Sequence, residues 1–497
     1  MKSTTTKKQG TLSRQLGLLG LAATGVCSML GASVYVVPFM IQRSVPGIGP
    51  YVLPAFMLAA FPALLAAAAY AILASAMPRA GGSYIYASRG LNPYLGFVAS
   101  FSQWFGLSIA MGVISYIIIP FIRDVAVALD WQILAGGLNT GSIRLVLSLL
   151  LLWIFVGINI IGLRFYERTL IPLMILMFGL GIVVIIAGFY FSPEAFAEQL
   201  LEREGRQIPD TDSPFRFGTL LTAAALLFSS FIGFDSIAQA GGEAKRPQRN
   251  LPLAIAIAVL GVGTYYFLFT AAVYNVVPWS FVAEEALQKD ISAPGLLSYV
   301  LSPGWSVVII LGAAIALIND LPAMLLSVSR LMFAWAEDGI FPKGVARIHS
   351  RYKTPYRAIL LSGGMASIGI VGSHLAGDFF LGIDIMVTAM LVNFLLMCIT
   401  VLALPRYNPP LAKQVAVFKN RSLQILLGST GAVLLLLFLV VHTIKDLKAE
   451  VSAWYFHSTW VWLLVLGLAS LIFLWKMRHL KRSGLDVKEQ FKKLPPE

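Results

Sequence analysis

Residues 27–38 read Cys-Ser-Met-Leu-Gly-Ala-Ser-Val-Tyr-Val-Val-Pro, and residues 228–243 read Phe-Ser-Ser-Phe-Ile-Gly-Phe-Asp-Ser-Ile-Ala-Gln-Ala-Gly-Gly-Glu. Each stretch places a glycine and small polar residues near the centre of a long apolar segment. One such cluster alone favours close packing between membrane helices, where small residues are common. Two clusters about 200 residues apart instead favour interrupted helices at corresponding positions of two repeats.

The composition indicates that these segments lie in a membrane. Of the 497 residues, 58% are hydrophobic and only 12% are charged, which is roughly half the charged fraction of a soluble protein. Apolar stretches of about 18 residues or more recur along the chain, and each is long enough to cross the hydrocarbon core as a helix. The predicted fold class is therefore an all-α integral membrane protein.

Twelve spans are predicted, with both tails in the cytoplasm and the chain in the inner membrane. They cover residues 15–41, 50–77, 93–122, 144–161, 166–191, 217–240, 251–277, 304–334, 357–373, 379–404, 423–444 and 458–476. The tails and the loops on their side contain about three times as many Lys and Arg as the opposite loops, as the positive-inside rule requires. The formal charge of +13 is thus expected to face anionic lipid rather than nucleic acid.

Neither an enzyme nor a metal site is indicated by the sequence. Cys27 and Cys398 lie inside apolar spans, far from any histidine, and are expected to be buried thiols. The sequence contains no nucleophile elbow and no phosphate-binding loop. We expect no cofactor apart from a Na⁺ or H⁺ as coupling ion, a small-molecule substrate, and a monomer or a homodimer.

Several motifs together resemble the amino acid-polyamine-organocation (APC) superfamily of permeases. They are residues 31–34 (Gly-Ala-Ser-Val), 77–86 (Met-Pro-Arg-Ala-Gly-Gly-Ser-Tyr-Ile-Tyr), 231–235 (Phe-Ile-Gly-Phe-Asp), 242–247 (Gly-Glu-Ala-Lys-Arg-Pro), 329–330 (Ser-Arg) and 336–339 (Ala-Glu-Asp-Gly). The resemblance implies an amino acid permease that works by alternating access. A polyamine or amine transporter and a non-transporting amino acid sensor remain the alternatives.

The resemblance also implies a leucine-transporter-type fold, with five plus five inverted helices, breaks in spans 1 and 6, and two further helices. The implied segments are a cytoplasmic tail (1–14), a first repeat (15–191), an extracytoplasmic loop (192–216), a second repeat (217–404), spans 11 and 12 (423–476) and a basic cytoplasmic tail (477–497).

A substrate site at the two breaks follows from the same resemblance. The implied substrate-binding residues are Gly31, Ala32, Ser33, Val34, Phe228, Ser229, Ser230, Phe231 and Gly233. Backbone amides of span 1 would receive the substrate carboxylate, as the unpaired N–H groups of a helix start favour. Carbonyls of span 6 would receive the ammonium group, and Phe231 would close over the substrate.

Three positions depart from the family pattern. Ser33 stands where a second glycine is usual, so that either the carboxylate is held less closely or a hydroxyl joins the site. Ile72 replaces a common glutamate. Residues 173–177 of span 5 contain no lysine, so a proton mechanism centred on a lysine is not expected.

Asp320 is the most informative ionisable residue, because it lies near the middle of span 8, where a carboxylate is costly and usually functional. Three roles stay open: a Na⁺ ligand, a carboxyl group that takes up and releases a proton, or a neutral structural hydrogen-bonding group. Four further residues are candidates for the pathway or its gates. They are Trp104 (pathway or packing), Asp235 (a helix cap or a gate), Arg330 (a gate or an anchor) and Asn393 (a site residue).

Overall fold

The computed structural model describes residues 12–31, 33–376, 379–451, 453–483 and 486–495. The first ten helices are α1 (Leu18–Met29), α2 (Ser33–Ser44), α3 (Val52–Ala76), α4 (Gly82–Gly90), α5 (Pro93–Ala128), α6 (Gln132–Leu138), α7 (Gly141–Ile161), α8 (Leu163–Tyr190), α9 (Pro193–Glu204) and α10 (Phe217–Leu227). The others are α11 (Asp235–Gln239), α12 (Pro247–Val276), α13 (Trp279–Gln288), α14 (Ala293–Leu297), α15 (Pro303–Glu337), α16 (Tyr356–Ala376), α17 (Phe379–Tyr407), α18 (Pro409–Ala412), α19 (Arg421–Lys448), α20 (Ser458–Arg482) and α21 (Val487–Gln490).

Eleven helical stretches within the described ranges are long and apolar enough to cross a membrane. They are Leu18–Ser44, Gly49–Ala76, Pro93–Ala128, Gly141–Ile161, Leu163–Tyr190, Pro247–Val276, Gly304–Glu337, Tyr356–Leu375, Leu381–Tyr407, Arg421–Lys448 and Ser458–Arg482. A multi-pass helical membrane protein is therefore confirmed. The predicted sixth span is a shorter apolar helical stretch, Phe217–Phe231, followed by a turn and the five-residue helix α11.

The two predicted interruptions coincide with observed helix ends. α1 ends at Met29 and α2 begins at Ser33, so the first span is two helices of 12 residues each. In the second case α10 continues as a 3₁₀ helix to Phe231, and Gly233 then has a φ of +133°. Such ends leave backbone N–H and C=O groups without partners inside the helix.

The two interruptions contact each other directly. A Cβ atom on Gly233 would lie 2.2 Å from the carbonyl oxygen of Ser28, so no larger residue fits at this crossing. The hydroxyl oxygens of Ser28 and Ser236 lie 3.0 Å apart and share a hydrogen bond. Glycine is therefore required at position 233 both by its positive φ and by the close approach of α1.

Longer helices surround this crossing. α12 packs against α1 and α3, while α5 packs against α15, α16 and α17. α19 and α20 are mostly exposed and cover the outside of α17.

Both described ends of the chain lie at one end of the bundle, which we call the tail face. Leu16 forms a backbone bridge with Ala244, and Arg79 donates a hydrogen bond to the carbonyl of Pro495. We call the opposite end the far face. α5 and α12 each start near the tail face and cross the bundle, so the helices that follow them, α6 and α13, lie at the far face.

The crossing predicts a strong effect of Gly233→Ala. The added methyl group would combine an unfavourable φ with a clash against the Ser28 carbonyl, at a combined cost of roughly 2 kcal/mol or more. The apparent melting temperature of the purified protein should fall by several degrees. Gly261→Ala is the matched control, because no described atom apart from its chain neighbours and the backbone of its own helix lies within 4 Å of its Cβ position. Equal melting temperatures for the two variants would contradict the packing described for Gly233.

Candidate functional site

A cavity of about 470 Å³ runs from the helix breaks toward the far face. Its deep end is lined by Ser28, Met29, Ser33, Ser229, Ile232 and Asp320. Its mouth is lined by Arg123, Asp124, Arg144 and Asp290. A larger groove of about 870 Å³ lies between α3 and α12, but it is lined mostly by apolar residues and touches neither break. The smaller cavity is therefore the candidate site.

The start of α2 supplies polar groups to the deep end of the cavity. Because α2 begins at Ser33, its first amides have no acceptor within the helix and carry partial positive charge. The Ser33 hydroxyl shares a short hydrogen bond with the hydroxyl of Tyr266, which also donates to the Met29 carbonyl at 3.2 Å. Tyr266 of α12 thus joins both sides of the first break. Sequence reasoning missed Tyr266, because its only mark in the sequence is that it is a tyrosine in the middle of a span.

Asp320 of α15 faces the same break. It is 4% exposed, and a Cβ atom on Gly31 would lie 2.3 Å from its Oδ2, so Gly31 is the residue that leaves room for this carboxyl group. Its Oδ1 has no hydrogen-bond partner among the described residues. The adjacent Asn319 donates to Cys27 Sγ at 2.9 Å and holds α15 against α1. A carboxyl oxygen presented in this way can accept a cation or a proton.

The residues predicted in span 6 divide into two groups. Ser229 lines the cavity, and so does Ile232, which the sequence did not single out. Phe231 is buried with its ring centroid 5.1 Å from that of Phe56, and Phe228 packs against Phe394. The structure therefore places the Phe231 ring against α3 rather than over the cavity.

The remaining predicted binding residues lie elsewhere. Val34 and Ser230 are buried and do not line the cavity. Ala32 lies outside the described residues.

On the tail side of the breaks lies a layer of buried polar side chains. The Asp235 carboxylate accepts hydrogen bonds from Gln103 Nε2 and from the amide of Gly233, at 3.1 Å. This second bond points back to the break, so the expected capping of the following helix is replaced by a bond that fixes the turn before α11. Asn393 donates to the hydroxyl of Tyr70 at 2.7 Å, and this bond links α17 with α3.

Two buried ion pairs lie nearer the tail face. Arg330 forms two hydrogen bonds to Glu243, at 2.6 and 3.0 Å, and both side chains are at most 1% exposed. Arg89 of α4 pairs with Asp338 at 2.5 and 2.9 Å, and Tyr84 donates to the same carboxylate at 2.6 Å. Sequence reasoning named Arg330 as a gate or an anchor but missed Arg89.

Trp104 belongs to an aromatic cluster rather than to the cavity wall. Its ring lies 5.7 Å from Phe101 and 5.8 Å from Trp335, measured between centroids. Together with the ion pairs and the polar layer, this packing separates the breaks from the tail face.

The chain matches known proteins over most of its length. The sequence pattern of the family described as "Amino acid permease" matches residues 16–469. The chain belongs to the amino acid permease family. The expected resemblance to APC permeases is thereby confirmed, and the family consists of transporters rather than enzymes.

Three relatives each share about a quarter of the aligned residues with this chain. The branched-chain amino acid permease BcaP of Bacillus subtilis is 25% identical, over 88% of this chain and 90% of its own length. The vacuolar cationic amino acid transporter 4 of Arabidopsis thaliana is 26% identical, over 80% of this chain and 64% of its own length. The methylthioribose transporter of Bacillus subtilis is 25% identical, over 81% of this chain and 83% of its own length.

The buried pair of Arg330 and Glu243 yields a prediction. Glu243→Leu leaves a buried guanidinium without its anionic partner, which costs about 3–5 kcal/mol. The double substitution with Arg330→Met removes the unpaired charge and should regain most of the lost thermal stability. A double variant as unstable as Glu243→Leu would contradict this account, and the measurement is the apparent melting temperature of each purified variant.

Proposed function

We propose that the protein is a secondary active transporter that carries an amino acid across the cytoplasmic membrane by alternating access. The observation that carries the proposal is the cavity, which ends where two interrupted helices meet and where Ser33, Ser229 and Asp320 face it. The cavity reaches the far face, while ion pairs close the tail face. We infer that this is the state open to the far face. In the alternate state the far face would be closed and the tail face open.

An arrangement of twelve spans is supported by parity. Both described chain ends lie on the tail face, which requires an even number of crossings, whereas eleven stretches qualify by length and hydropathy. The interrupted segment from Phe217 to Gln239 would supply the twelfth crossing. The Lys and Arg distribution supports a tail face in the cytoplasm.

The chemistry around the breaks favours a zwitterionic substrate with an apolar side chain. The substrate carboxylate would bind the free amides at the start of α2, and its ammonium group would bind carbonyls of the 3₁₀ segment or Asp320. The wall beyond is formed by apolar residues of α5, α15 and α17: Ala110, Ile114, Leu317, Met324, Ile383 and Met386. The branched-chain specificity in the name of BcaP agrees with such a wall.

Asp320 is the proposed coupling residue. Its Oδ2 lies beside Gly31 at the break in the first span, and its Oδ1 has no hydrogen-bond partner among the described residues. A Na⁺ or proton bound to this carboxyl group would stabilise one arrangement of α15 and the first span. The coupling cation would thereby favour the state that binds substrate.

The substrate class can be tested by thermal shift of the purified protein. We expect leucine, isoleucine and valine to raise the melting temperature, and isoamylamine, which is leucine without its carboxylate, to leave it unchanged. Putrescine and methylthioribose test the alternatives. Stabilisation by isoamylamine or putrescine but by no amino acid would contradict the carboxylate site and favour an amine transporter. Stabilisation by leucine without uptake into proteoliposomes would favour a sensor.

The role of Asp320 can be tested by uptake of radiolabelled leucine into proteoliposomes. Asp320→Asn preserves the shape of the side chain and should lower ion- or proton-driven uptake about tenfold or more, and should remove its dependence on Na⁺ or pH. Asp290→Asn, at the exposed mouth of the cavity, is the matched control and should retain both. Driven uptake by Asp320→Asn at the parent rate would exclude the proposed coupling.

A further inference from the structure

The last described segment of the chain, residues 486–495, packs against the tail face with one of its sides and exposes the other. Val487 and Phe491 are 7% and 4% exposed, whereas the side chains of Lys492 and Lys493 are exposed. Val487 and Phe491 are four positions apart and share one face of the helical turn that begins with α21. The segment therefore packs as an amphipathic strip, with Lys492 and Lys493 directed away from the protein.

The strip contacts both partners of a buried gate ion pair. Arg89, which binds Asp338 with two nitrogens, also donates from Nε to the carbonyl of Lys493 at 3.2 Å. Its guanidinium group lies 4.9 Å from the ring centroid of Phe491, within the range of a cation–π interaction. Gln490 donates to the backbone carbonyl of Asp338 at 3.2 Å.

Two further hydrogen bonds extend the docking to other elements. Asn408, just after α17, donates to the Lys492 carbonyl at 3.1 Å. Arg79, in the loop between α3 and α4, donates to the Pro495 carbonyl at 3.1 Å. The acceptors in both cases are backbone carbonyls, so docking does not require the lysine side chains.

The bridged elements are those that seal the tail side of the breaks. The loop before α4 is joined to the second half of the interrupted segment, since the Gly81 amide donates to the Gln239 carbonyl at 3.1 Å. α4 is joined to the end of α15 by the pair of Arg89 and Asp338. Opening the tail face requires some of these elements to separate, and a segment that binds several of them at once adds contacts to the closed arrangement only.

We propose that residues 486–495 form an intramolecular latch that holds the tail face closed and lowers the frequency of its opening. The latch rests on the proposed alternating-access cycle, and it adds a regulatory element that the substrate site does not contain. Any factor that removes the strip from α4 and α15 would shift the protein toward the state open to the tail face.

The test measures access to the tail side of the breaks without any substrate. Ser83→Cys is a nearly isosteric reporter, because Ser83 is fully buried beside Gln103 and Gln239. The purified protein carrying this reporter is reacted with a hydrophilic maleimide. The parent without the reporter gives the background, since Cys27 and Cys398 are both buried. The reporter is combined with three changes: a chain ending at Ser483, Phe491→Ala, and the control Lys492→Ala.

We expect the shortened chain and Phe491→Ala to label about fivefold faster or more, because each removes contacts made only in the closed state. Lys492→Ala should label at the reporter's own rate, because its carbonyl remains in place. Size-exclusion profiles verify folding, and if the shortened chain aggregates, Phe491→Ala decides the result. Unchanged or slower labelling of Phe491→Ala would overturn the latch. Because no substrate is used, this outcome is independent of the amino acid binding experiment.

Discussion

The close approach of Gly233 to the carbonyl of Ser28 is the contact on which the rest of the structure depends. A membrane provides no water for unpaired backbone groups, so a helix can be interrupted at depth only where protein or a water-filled cavity receives those groups. Here two interruptions meet, and each provides part of the environment that the other requires. The cavity, the start of α2 and Asp320 all lie at this crossing.

A closed tail face is the necessary counterpart of a cavity open to the far face. The closure consists of buried charge pairs and hydrogen-bonded polar side chains rather than of apolar packing alone. Such groups are stable in the interior only while their partners are present, so they favour two discrete arrangements over a continuous range. Separation of Arg330 from Glu243, or of Arg89 from Asp338, would expose both members to water, where each is solvated again. Ion pairs of this kind suit a gate that opens into solvent.

The sequence predicts the local features of this structure well. Both helix breaks fall at the glycine and serine clusters, because the lack of a bulky side chain is visible in the sequence itself. Asp320 stands out because a carboxylate within an apolar span is rare. The sixth segment was expected as a full span, whereas its apolar helical stretch ends at Phe231, because the turn at Gly233 shortens the run.

Contacts between distant segments could not be predicted in this way. The bond between Ser33 and Tyr266 and the pair of Arg89 and Asp338 each join positions more than 200 residues apart, and no local pattern marks them. The contacts of Phe231 could not be predicted either. Its position in the motif implied that its ring closes over the substrate, whereas the ring packs against Phe56 on the neighbouring helix α3.

We expect the substrate to bind at the crossing of the two interrupted helices. Electron cryo-microscopy of the protein with saturating leucine would locate the bound ligand. We expect ligand density at the deep end of the cavity, with the carboxylate beside the start of α2 and the aliphatic side chain toward Met386. Ligand density confined to the mouth beside Arg123 and Arg144, with the breaks unoccupied, would contradict it.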